Sequence, residues 1–273
     1  MKSALCISGQ MRTYKKCYGY LKENIISELQ PDIFIYTKSK TGITTKADYN
    51  NESDNKAVKK KNLRKIYDPE EIFIDEPFED KKLKSFKGVE VPKEIIQQAP
   101  NNWKGNIPNF YGIKKCNEMK KEKEKKDNFK YDLVIRCRPD LVIKSKIPNK
   151  ILKKPEILWH NHEQSPIMVS DQLAMSSSEN MDYYSSVWDK LNEYWKNPLG
   201  DRKWENIRVG ERLLKTHMKK SKIEVDTCEI NYEILRSRTF VKNKLKNRYK
   251  NKAKKMIYNP TEIIKTIPKI LNS

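Results

Sequence analysis

Three short stretches hold most of the residues that could do chemistry. "SGQMR" (Ser8–Arg12) offers Gly9, which permits close backbone approach, Gln10, which can hydrogen-bond a base or sugar edge, and Arg12, a phosphate-sized cation. "RCRPD" (Arg136–Asp140) sets Arg136 and Arg138 on one face of a strand, with Cys137 on the other and Asp140 just past Pro139. Two guanidiniums and a carboxylate suit a pyrophosphate, with Asp140 holding Mg²⁺ or Mn²⁺ against it. A structural Arg–Asp ion pair is the plainer use of the same residues. The third stretch is split: Asp171 in "VSDQLAMSS" and Glu211 in "RVGERLLKTHM" are carboxylates near element ends. Capping explains Asp171 as simply, and the helix dipole explains Glu211.

Other patterns exclude more than they suggest. His160 and His162 share a strand face, but no carboxylate or cysteine spacing beside them supports zinc, and His217 reads as structural. There is no GxSxG, no HExxH, no P-loop and no Cys/His constellation. The five cysteines are scattered and odd in number, which suits a reducing compartment rather than a disulfide framework.

The elements that must position these residues alternate in type. "ALCIS" (Ala4–Ser8), "DIFIYT" (Asp32–Thr37), "EIFIDE" (Glu71–Glu76) and the run Leu133–Ile135 read as strands. "EILWHNH" (Glu156–His162), "QLAMSS" (Gln172–Ser177) and short runs at Ile223–Asp226 and Ile230–Leu235 follow. Helical spacing joins Tyr14, Cys17, Tyr18, Leu21, Ile25 and Leu29. A second helix starts at Pro108 and ends in Lys120–Lys126, whose alternating charges read as a solvated face. Ser176–Glu179 fits a capping box ahead of a third helix, and a fourth spans Glu205–Met218. This order predicts an α/β chain with a mostly parallel central sheet flanked by helices. Lys38–Arg64 reads as a mobile loop and Pro77–Trp103 as an irregular lid.

Of 273 residues, 57 are Lys or Arg against 36 Asp or Glu, a formal charge of +21. From Arg236 onward twelve basic residues face the single acid Glu262, so +11 of that excess lies in the last 38 residues. The reading is a body over residues 1–238 and a basic C-terminal arm over 239–273. Such an arm meets an anionic membrane peripherally, or is simply solvated. A nucleic-acid binder is the rival class for so basic a chain, although no RRM, KH, zinc-finger or helix-turn-helix signature is present and no specific nucleic acid is expected. With no run long enough for a membrane span or signal peptide, the expectation is a cytoplasmic protein.

Taken in order, "ALCISGQMRTY", "PDIFIYT", "NFYGIKKCNEM…YDLVIRCRPDLVI", "SDQLAMSSSENMDYYSSVW" and "GERLLKTHM" resemble small GT-A-type glycosyltransferases of polysaccharide and glycan assembly. Relatives of that kind occur among bacterial capsule and lipopolysaccharide enzymes and in large algal viruses. The resemblance implies a nucleotide-sugar donor, most commonly a UDP-sugar, and a glycan or polysaccharide acceptor. It implies that Ser8, Gly9, Gln10, Arg12 and Thr37, with Arg136 and Arg138, contact the donor. "RCRPD" falls where such enzymes keep an Asp-x-Asp metal motif, so Asp140 becomes the ligand of Mn²⁺ or Mg²⁺. Here Arg138 replaces the earlier aspartate, and an arginine could neutralise diphosphate charge instead. Asp171 or Glu211 would be the base of an inverting transfer. Nucleotidyl or phosphoryl transfer on the same fold is the alternative chemistry.

Overall fold

The computed structural model describes residues 1–41, 56–76, 85–93, 102–161, 168–196 and 210–235. The middle of the expected loop, most of the expected lid, His162 and the basic arm lie outside the described residues. The strands are β1 (Ser3–Ser8), β2 (Asp32–Lys38), β3 (Glu71–Asp75), β4 (Ser85–Phe86), β5 (Val89–Glu90), β6 (Leu133–Cys137), β7 (Leu141–Ile143), β8 (Leu158–Asn161), β9 (Leu173–Ser176), β10 (Val225–Cys228) and β11 (Tyr232–Ile234). The helices are α1 (Tyr14–Leu21), α2 (Lys60–Tyr67), α3 (Asn102–Asp127), α4 (Asn149–Lys153), α5 (Ser178–Ser185), α6 (Leu191–Lys196) and α7 (Gly210–Met218). α1 runs on through a π turn (Lys22–Ile26) into a last turn (Ser27–Leu29), so the expected helical stripe to Leu29 is continuous.

Seven strands form the central sheet in the order β10-β8-β9-β6-β1-β2-β3. Every neighbouring pair is parallel except the two that involve β9, which lies antiparallel to β6 and to β8. β1, β2 and β6 carry apolar residues on both faces because both faces are covered. On one side Ala4, Cys6, Phe34, Tyr36 and Val134 pack with Ile107, Phe110, Ile113 and Cys116 of α3. On the other, Leu5, Ile7, Ile33, Ile35, Leu133 and Ile135 pack with Tyr14, Leu21 and Ile25 of the first helix and Leu63 of α2. The mostly parallel α/β architecture expected from the alternation is present.

Several boundaries differ from expectation, each for a packing reason. α3 begins at Asn102 and carries Pro108 inside it. Ile107 and Phe110 bury themselves on either side of the proline and hold the turn despite the missing N–H. α2 begins within the last residues of the expected mobile loop because Leu63 and Tyr67 find the α1 side of the core. The helix cap is Ser177, one residue later than the capping-box reading, with its hydroxyl accepting from the Asn180 N–H. Lys120–Lys126 is not simply a solvated face: Lys120 and Glu124 are buried there as an ion pair (3.1 Å). All five cysteines are buried and free. No helix among the described residues is long and apolar enough to cross a membrane.

Candidate functional site

The chain steps outward from β1 to β2 and β3, then returns through α3 to β6 on the other side of β1. A reversal of this kind opens a crevice beyond the carboxyl ends of the two central strands, where open α/β sheets bind ligands. β1 and β6 run in register, Ile7 opposite Cys137, so "SGQMR" and "RPD" leave the sheet side by side. Gly9 is needed at this crossing. Its φ is +139°, and a Cβ there would lie 3.2 Å from Pro139 Cδ.

Asp140 is the hub of the charges. Its side chain is 1% exposed, and its Oδ1 accepts from Arg138 Nε at 2.9 Å. Its Oδ2 accepts from Arg138 Nη2 at 2.8 Å and from Arg12 Nη1 at 3.3 Å. Gln10 holds Arg12 by accepting from its Nη2. Burial opposes the charge on Arg138, but the Asp140 carboxylate outweighs it and raises the guanidinium's pKa above its ordinary value. Beneath the hub, Leu235 just beyond β11 donates its N–H to the Asp140 carbonyl (2.9 Å) and accepts from Thr13 Oγ1 (2.7 Å). β11 is anchored on β7, so a short hairpin-like layer fixes Asp140 from behind.

Arg136 does a different job from the one expected. It is buried on the α3 side, where Nη1 donates to the carbonyls of Ser8 (2.9 Å) and Cys137. Its Nη2 donates to Asn109 Oδ1 at 3.2 Å. A guanidinium held this way ties the tips of β1 and β6 to α3. β6 ends at Cys137, so Arg138 escapes the alternation that would have set it beside Arg136. Thr37 lies on the other face of β2. Strand alternation puts it on the α1 side with Ile33 and Ile35, fully buried, its hydroxyl on the Lys38 carbonyl (3.4 Å). Tyr36 is the residue of β2 that stands beside Ser8, with its hydroxyl on Asp75 (2.9 Å).

The antiparallel course of β9 brings its beginning, rather than its end, to the strand tips. Gln172 therefore accepts from the Arg138 N–H (3.0 Å), and Asp171 arrives at the crevice. Asn109 Nδ2 donates to Asp171 Oδ2 at 2.7 Å. Arg136, Asn109 and Asp171 thus form a chain from the sheet core to the site. Glu211, in the first turn of α7, accepts through its carbonyl from the Val169 N–H (3.0 Å). Burial raises its carboxyl pKa, the charge of Asp171 adds to that, and Arg138 works the other way. Glu211 therefore lies within electrostatic reach of both Asp171 and Arg138.

Ser8 Oγ, Arg136 Nε and Asp171 Oδ1 are buried in this region without a hydrogen-bond partner. Sequence reading missed Asn109, although a signal existed. It is a polar residue in the same helical stripe as Ile113 and Cys116, where an apolar side chain would ordinarily be placed. His160, paired with His162 by sequence, is buried in β8 with its Nδ1 3.2 Å from the Asn161 carbonyl.

The donor set at Asp140 does not fit a divalent metal. Mg²⁺ and Mn²⁺ prefer carboxylate oxygens and phosphates, whereas both oxygens of this carboxylate accept from guanidiniums. Among the described residues no group of three or more His, Cys, Asp or Glu is placed to hold an ion. No protein-family model matches the chain, and no curated protein matches it.

Proposed function

We propose that this chain is a glycosyltransferase of GT-A type that moves a sugar from a nucleotide-sugar donor to a glycan hydroxyl. The observation that carries the reading is the charge cluster at the β1/β6 reversal, where Arg12 and Arg138 keep partly exposed side chains and Glu211 lies within electrostatic reach of Asp171 and Arg138. Those are the two needs of glycosyl transfer from a nucleoside diphosphate. The acceptor oxygen forms a new bond to the anomeric carbon while the bond from that carbon to the diphosphate oxygen breaks. The bonding electron pair leaves with the diphosphate, whose added negative charge must be met by fixed positive groups. Arg12 and Arg138 are those groups. The hydroxyl proton goes to Asp171 or Glu211, and burial with the nearby charge of Asp171 raises the Glu211 pKa toward that task. A base separate from the leaving-group site suits an in-line, inverting displacement.

The remaining residues hold these in place. Asn109 fixes Asp171, Arg136 fixes Asn109, and Gln10 fixes Arg12. Such orientation is worth as much to a reaction as the reacting groups themselves, because it removes the entropy of bringing them together. A thermal-shift and turnover screen over UDP-, GDP-, CMP- and dTDP-sugars tests the proposal. One donor should raise the melting temperature and be slowly hydrolysed by the wild-type chain but not by Asp171→Asn. A chain that no donor stabilises and that hydrolyses none overturns the assignment.

A further inference from the structure

The Arg12–Asp140–Arg138 cluster is layered in a definite order. Asp140 is 1% exposed, whereas the side chains of Arg12 and Arg138 keep 16% and 20%. Anything arriving from solvent meets guanidinium before carboxylate. Arg138 uses its Nε and Nη2 edge on Asp140, which leaves Nη1 on the edge turned away from the carboxylate. One acid between two bases also leaves the cluster a net positive charge. A cation would have to push aside two groups of its own sign to reach Asp140, while an anion meets attraction from the outer Nη1 edge of Arg138.

From this geometry we propose that the cluster is a metal-independent diphosphate site, in which Arg12 and Arg138 take the place a divalent ion would occupy. Asp140 is their internal counter-ion. It offsets the desolvation of two guanidiniums and fixes both at a set spacing before ligand arrives. Guanidinium forks match phosphate oxygens in a bidentate manner, so a pre-set pair holds a diphosphate without reorganisation at the moment the leaving group gains charge. The inference rests on the transferase reading for its substrate, but its content is the cofactor requirement and the role of Asp140. Asp140 becomes a positioning residue rather than a metal ligand.

Titration calorimetry of the full chain with inorganic pyrophosphate and with UDP, in EDTA and then in Mn²⁺, separates the cases. Both probes should bind in EDTA, with affinities within about threefold of those in Mn²⁺, since guanidiniums alone supply the positive charge. Arg138→Lys should weaken pyrophosphate by roughly tenfold in both buffers, because lysine keeps the charge and loses the fork. Arg12→Gln, on a different element, should do the same and guards against a folding defect in the first variant. Asp140→Asn should weaken pyrophosphate by the same factor in EDTA and in Mn²⁺, since the two guanidiniums lose their set spacing; loss of a metal ligand would be felt only in Mn²⁺. Binding that appears only with Mn²⁺ and is lost in Asp140→Asn overturns this inference and leaves the transferase reading standing. Absence of binding in both buffers overturns the two together.

Discussion

The two ends of α3 both bury charge, and they do so in opposite ways. Near its carboxyl end Lys120 donates to Glu124 (3.1 Å), Asp182 (2.8 Å) and Ser178. Glu124 in turn accepts from the Tyr131 N–H (3.1 Å), Lys130 (3.1 Å) and Ser178. No buried polar atom of that network lacks a partner. Near its amino end Asn109 enters the strand-tip cluster, where Asp171 Oδ1, Arg136 Nε and Ser8 Oγ do lack one. A closed network fixes how helix and sheet meet. An open one has bonding capacity left for a ligand, and each orphan in a native structure calls for such a reason. The contrast teaches that burial of charge alone does not mark a site here; incomplete pairing at the strand tips does.

Lys120→Met tests the contrast most severely. It should cost about 3 kcal/mol in urea denaturation, because buried Glu124 then keeps only the exposed Lys130 as its cation, while pyrophosphate affinity per folded molecule stays the same. A loss of affinity matching the loss of stability would merge the two regions into one cooperative unit.

The next effect belongs to α7, which has Glu211 at the crevice and His217 in the interior. His217 Nε2 lies 2.7 Å from the Tyr183 carbonyl and Nδ1 2.7 Å from the Tyr194 hydroxyl. Burial pushes its pKa down to about 4. The unfolded chain therefore binds the proton more readily, so stability is complete above pH ~6.5 and is lost as pH falls from there toward 4. On the order of 3 kcal/mol should disappear across that window. Unfolding free energies at pH 7 and pH 4.5 should show it, with a shallower slope in His217→Gln.

Asn109→Ala should reverse the Lys120 pattern. Turnover of the preferred donor should fall roughly 10- to 100-fold as Asp171 loses its orientation. Stability should fall by only about 2 kcal/mol, the worth of its two hydrogen bonds. The smallest signal is in the pH profile. Because burial and Asp171 raise the Glu211 pKa, the acid limb of kcat/KM should lie above the ordinary glutamate range. Glu211→Gln should move that limb down; an unmoved limb would take Glu211 out of the proton-accepting pair.

Much of this was legible in the residues. The apolar runs of β1, β2 and β6 need cover on both faces, and that alone predicts a parallel sheet between helix layers. Charges that follow such runs at once, as in "SGQMR" and "RCRPD", have to lie at strand tips. Asn109 and Lys120 were hidden for a shared reason: each is a polar residue on a face that periodicity assigns to the core or to solvent, and only its partners from distant segments justify it. The partner of Asn109 is 62 positions away at Asp171, and that of Lys120 is 62 positions away at Asp182.

The sequence by itself determined that strands alternate with helices, that two of those strands end in arginines, and that Asp140 follows a chain-breaking proline. Tertiary structure alone decided what those groups do. It turned β9 antiparallel, which put Asp171 rather than Ser176 at the strand tips, and it sent Arg136 inward and Arg138 outward from positions two residues apart. Local pattern sets which face a residue starts from, because backbone geometry repeats every two residues in a strand. Where a charged side chain ends depends on which opposite charge the rest of the chain delivers within hydrogen-bond reach, and no local pattern carries that.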